Sequence, residues 1–154
     1  TLTSAPIATT LVLAFPMGMM FGRWFGTYLF PHFGIDKRLK VIIALQGLSF
    51  MIFWASEILI TSFIALFIVG FGTSMQFALS TLRLLRFGRE KPDLAIGKSS
   101  LGAGFAIAFS PLFLGFLADQ FGIITAFLLV PALVICAFII VALLPSTSHE
   151  LERA

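Results

Sequence analysis

The chain has 154 residues, of which 59% are hydrophobic and only 11% charged. A soluble domain carries about 25% charged residues, so a water-facing surface could not be covered and an integral membrane protein is expected. The net charge of +3 does not point to nucleic acid, because the basic residues stand in short clusters between apolar runs, where positive charge sets membrane orientation.

A helix needs about 20 apolar residues to cross a hydrocarbon core of about 30 Å. The runs are continuous rather than alternating, which excludes the pattern of a membrane β-barrel and predicts an all-α chain. The first span is expected over about Pro6–Leu29. Within it Gly18, Gly22 and Gly26 recur every four residues and share a helix face. Small residues at that spacing let two backbones approach closely, either as fixed packing or as a surface for sliding. Arg23 lies in the lower end of this span, either snorkelling to the interface or pairing with a carboxylate on another helix. Trp24 and Tyr28 suit an aromatic anchor at the same level.

A polar connection over Phe30–Arg38, with Lys37 and Arg38, leads to the second span at about Leu39–Ser56, which ends near Trp54. A tight turn at Glu57 separates it from the third span, about Leu59–Leu82. Here Thr73, Gln76 and Ser80 fall on one face, continued by Arg83. A polar face in hydrocarbon must point at protein or at water, so these residues either line a cavity or bond to neighbouring helices.

The next connection, Arg83–Lys98, is expected to be long and polar, with Lys98 an interfacial charge before the fourth span at about Ser99–Leu117. A tight turn at Asp119–Gly122 precedes the fifth span, about Ile123–Leu144, whose only polar side chains are Thr125 and Cys136. That span is expected to face lipid. Asp119 and Glu57 read as helix-end carboxylates, and the tail from Pro145 as a short polar end.

Of the ten Lys and Arg residues, none falls in the turns at Glu57 and Asp119. The positive-inside rule then puts the basic loops and the C-terminus in the cytoplasm. The N-terminus comes out on the far side, an awkward start that one further upstream helix would relieve. Many transporters are built from three-helix units, which again suggests a missing helix and a missing first half.

The segment Gly22-Arg23-Trp24-Phe25-Gly26 through Gly34-Ile35-Asp36-Lys37-Arg38 resembles the eighth helix and following loop of major facilitator superfamily carriers. Pro31-His32 stands where that loop motif has an Asp-Arg pair, so the motif's acidic residue is absent there. The stretch Gly97–Gly122 is similar to the eleventh helix, with Pro111 and Gly115 matching a Pro-x-x-x-Gly spacing, and Thr125–Pro131 to the start of the twelfth. The resemblance covers the chain as helices eight to twelve of a 12-helix fold. It implies a permease of the cell membrane that carries a small-molecule substrate, with or without a coupling ion, against a partner half formed by the missing N-terminal helices. It also implies Thr73, Gln76 and Ser80 as cavity lining, and Arg23, Lys37, Arg38, Arg83, Lys98 and Asp119 as gating or interfacial charges. Gly18, Gly22, Gly26, Pro111 and Gly115 become packing positions.

An enzyme would need His, Asp, Glu or Cys clustered at the interface, and the sequence offers no such constellation, nor ligands at metal-binding spacing; no cofactor is expected. The competing reading is a small accessory membrane protein without transport activity.

Overall fold

The structure is a computed structural model that describes residues 5–26, 28–29, 32–88 and 90–144, with the side chains of 5–8 outside that description. Among the described residues there is no strand. The described residues form six helices in succession: α1 (Ala5–Phe25), α2 (Ile35–Ala55), α3 (Leu59–Phe87), α4 (Pro92–Phe121), α5 (Ile123–Ala126) and α6 (Leu129–Leu143). Four segments are long and apolar enough to cross a membrane: Ile35–Ala55, Leu59–Phe87, Pro92–Phe121 and Ile123–Leu143. This is the signature of a membrane protein. The first expected span falls partly outside the described residues; what is described of it is the 21-residue α1.

The helix ends differ from those expected in an instructive way. The segment 83–98, expected as a polar connection, is almost entirely helical, and only Gly88–Lys91 separates α3 from α4. Hydropathy marks where hydrocarbon ends, but a helix satisfies its own backbone hydrogen bonds and has no reason to stop there. At 1.5 Å per residue, the 29 residues of α3 extend about 43 Å, roughly two turns beyond a hydrocarbon core. The start of α4 has its own signals, with Pro92 in the first turn, where its missing N–H costs no bond, and Asp93 beside it. Likewise α2 begins at Ile35 rather than near Leu39, because Ile35 packs against the same core as Leu39, Ile42 and Ile43.

Both expected turns are short, but the second is displaced: three residues, 56–58, separate α2 from α3, while α4 runs through Asp119 to Phe121 and leaves only Gly122 before α5. At the first, the Ser56 hydroxyl accepts a bond from the Ile58 N–H at 3.2 Å, and Ser62 Oγ donates back to the Ser56 carbonyl at 3.4 Å. At the second, Gly122 adopts φ +81°, a conformation glycine enters without a Cβ penalty, and its N–H closes on the Ala118 carbonyl at 2.9 Å. The fifth expected span is broken at Phe127–Leu128, between α5 and α6. Pro131 has no N–H to offer the Phe127 carbonyl, which instead accepts from Val130 at 3.1 Å, and the Ala132–Leu128 bond stretches to 3.4 Å.

In the bundle α3 is central. One of its sides meets α1 and another meets α2, while α6 lies against α2 and α4 touches α3 only sparingly. The α2–α3 seam holds the core: Leu39, Ile42 and Ile43 against Met75 and Leu79, flanked by Ile35, Phe71, Val134 and Val141. The α1–α3 seam is of another kind, with backbone against backbone. A Cβ added to Gly18 would collide with the Phe67 carbonyl, and one on Gly70 with the Phe15 carbonyl. On Gly22 it would stand 2.7 Å from the Phe71 oxygen, and on Gly26 2.7 Å from Met75 Cγ. Thus the glycine face of the first span lies directly against α3, and Gly70 is its counterpart there.

By contrast, α4 has no buried residue, and a Cβ on Gly102, Gly104 or Gly115 would meet nothing within 4 Å. Pro111 is likewise exposed, so the packing role expected for Pro111 and Gly115 has no partner among the described residues.

These two seams predict opposite outcomes for one substitution. Gly18→Leu must push α1 off the Phe67 carbonyl and is expected to cost at least about 1–3 kcal/mol. Gly102→Leu, on the uncovered face of α4, is expected to stay within about 0.5 kcal/mol of the parent. Denaturant unfolding in detergent micelles, followed by circular dichroism, checks both.

Candidate functional site at the basic end of the bundle

The end of α1, the start of α2 and the end of α3 meet at one end of the molecule, and two arginines hold them there. Arg38, in the first turns of α2, donates from Nη2 to the Gly26 carbonyl at 3.0 Å and to the Leu29 carbonyl at 2.8 Å. Carbonyls past a helix end have no intrahelical donor, and they carry the negative end of the helix dipole, so a guanidinium is a suitable cap. The two hydrogens on Nη2 let this one nitrogen serve both acceptors.

Arg83, near the end of α3, is buried. Its Nε lies 3.0 Å from Asp36 Oδ1, with the two side chains only 8% and 16% exposed. Its guanidinium also sits 5.8 Å from the centre of the Phe87 ring. Arg83, expected as a gating or interfacial charge, is buried within the bundle, its charge made tolerable by a carboxylate from the neighbouring helix. Sequence reading missed Asp36 because its partner is remote along the chain. A signal was available, since the tight turn at 56–58 makes α2 and α3 antiparallel and brings the ends carrying Asp36 and Arg83 together.

The remaining expected charges stay on the surface. Arg23 is exposed in the last turn of α1, and Lys37 is exposed with its ammonium 5.7 Å from the Phe33 ring centre. Lys98 and Asp119 are exposed near opposite ends of α4. Trp24 and Tyr28 stand out from the bundle at the basic end, 70% and 79% exposed.

The polar face of α3 divides. Thr73 Oγ1 accepts from Gln46 Nε2 of α2 at 3.0 Å and donates to the Val69 carbonyl at 2.8 Å, so Thr73 is engaged in holding α2 to α3. Gln76 is half-buried and Ser80 is exposed. Gln46, a lone amide in the second span, was overlooked in the sequence, although a mid-span amide needs a partner wherever water is absent. Ser74 is buried beside Gly22, its Oγ without a hydrogen-bond partner.

Chemically, this arrangement can hold helix ends together and release them at the expense of one ion pair and two carbonyl bonds. Asp36→Asn should strand the Arg83 charge and destabilise the protein by about 3–5 kcal/mol. Asp36→Ala with Arg83→Ala together should cost clearly less than the sum of the single changes. A double-mutant cycle measured by unfolding in detergent tests this, and additivity would mean the two side chains do not interact.

Comparison with protein-family models, with curated proteins and with solved structures gives no match.

Proposed function

We propose that this chain is the C-terminal part of a secondary carrier of the major facilitator type, moving a small solute across the cell membrane by alternating access. The observation that carries the reading is the clasp at the basic end. The segment Gly22–Arg38, which resembles the family's cytoplasmic loop motif, is the segment that ties α1 to α2 through Arg38 and α2 to α3 through Asp36 and Arg83.

In a carrier such a clasp favours one of two arrangements of the helix ends. Rocking between them requires contacts that are individually modest and break together. The uncovered α4, with its exposed glycines and Pro111, would in this reading face the other half of the carrier, supplied by N-terminal helices. Gln76 and Ser80 would contribute to the solute cavity shared by the two halves, with Thr73 fixing the helix that bears them. A coupling ion remains compatible with the arrangement, and the basic end would lie in the cytoplasm.

Two measurements test the proposal. In a Cys136→Ser background, a membrane-impermeant maleimide added outside intact cells should label Glu57→Cys and spare Lys91→Cys. The full-length protein in proteoliposomes should take up at least one solute from a labelled panel of sugars, amino acids and organic ions. Ser80→Ala and Gln76→Ala should lower that uptake several-fold at unchanged protein insertion. Labelling of both cysteines from outside, or absence of flux across the whole panel, would refute the reading.

A further inference from the structure

We infer that the outer face of α2 binds an anionic phospholipid, with the phosphate at Lys37 and Lys40 and an acyl chain along Val41, Ala44, Leu48 and Ile52. The inference rests on the membrane reading of the chain and is independent of the transport reading.

The placement follows from helix geometry. Lys37, Val41, Ala44, Leu48 and Ile52 recur at spacings of three and four and are all exposed, so they form one continuous stripe. The stripe lies opposite the side on which Leu39, Ile42 and Ile43 enter the core and Gln46 reaches Thr73. No large polar group interrupts it below Lys37. It begins at the basic end of the bundle and runs toward the turn at 56–58, the direction a lipid chain takes from headgroup to mid-membrane.

The head of the stripe is cationic. Lys37 is exposed and steadied by the Phe33 ring at 5.7 Å, while Lys40, one turn further on, is half-buried at its side. The two arginines of the clasp are occupied within the protein, by carbonyls and by Asp36, so the lysines are what α2 offers outward. Charge complementarity selects the ligand. Exposed Arg23, Arg86, Lys91 and Lys98 outnumber exposed Glu90 and Asp93 at this end, whereas Glu57 and Asp119 are exposed at the other with no described cation beside them, so only one leaflet would find an attractive surface. A compact ammonium is a good point partner for a phosphate monoanion, and two of them beside an apolar track discriminate against zwitterionic headgroups.

The full-length protein assembled into nanodiscs of equal phosphatidylglycerol and phosphatidylcholine, then released into native mass spectrometry, reads retained lipid directly. The parent protein should retain phosphatidylglycerol in preference. Lys37→Gln with Lys40→Gln should lower that preference by about fivefold per cation removed, the equivalent of about 1 kcal/mol each. Lys98→Gln, which removes the same charge elsewhere at this end, should leave it in place. Equal retention of both lipids by the parent, or an equal loss in Lys98→Gln, overturns the site. A double variant that inserts and keeps its phosphatidylglycerol overturns it as well. Failure of the parent to enter the bilayer, seen as extraction by carbonate, overturns the membrane reading and the site together.

Discussion

The bundle depends on the contact between α1 and α3, where Gly18, Gly22 and Gly70 bring two backbones together with no side chain between them. In lipid, apolar side chains gain little by leaving hydrocarbon for protein, so helix association rests on close dispersion contact and on polar bonds. Glycine supplies the first by removing the Cβ that would keep the axes apart. With α1 fixed in this way, the carbonyls at its end come within reach of Arg38, and α3 is held where Arg83 can meet Asp36.

The same logic explains the contrast among the three seams. The α2–α3 seam uses branched and flexible apolar side chains together with one amide–hydroxyl bond, Gln46 to Thr73. At the α2–α6 seam Val134 comes against Gly47, and Val134 and Val141 flank the apolar core. In the fourth helix a Cβ on Gly97, Gly102, Gly104 or Gly115 would meet nothing within 4 Å among the described residues. Small residues permit close approach without themselves supplying a partner.

Charge is divided between structure and surface. Arg83 is buried against Asp36 and half-buried Arg38 is spent on two carbonyls, whereas the other described cations at this end are exposed, apart from half-buried Lys40. Sequence clustering could not make that division, since Arg38 and Lys37 are neighbours and differ only in which side of α2 they occupy. An Arg in a run of basic residues looks like one more interfacial charge until the helix beside it presents a carboxylate.

What the sequence determined by itself is the all-helical class, the membrane-length apolar runs, the two tight turns and the glycine face of the first helix. These are local properties: a hydrocarbon thickness sets a run length, glycine sets a turn, and a repeat of four sets a face. Tertiary structure alone decided where the helices end, which face of α3 is spent on α2, and that Asp36 belongs to Arg83. Those outcomes depend on register between antiparallel helices, and register is fixed by the packing of residues far apart in the chain. The break at Phe127–Leu128 sits between the two cases, for Pro131 announced a missing hydrogen bond but not how the chain would absorb it.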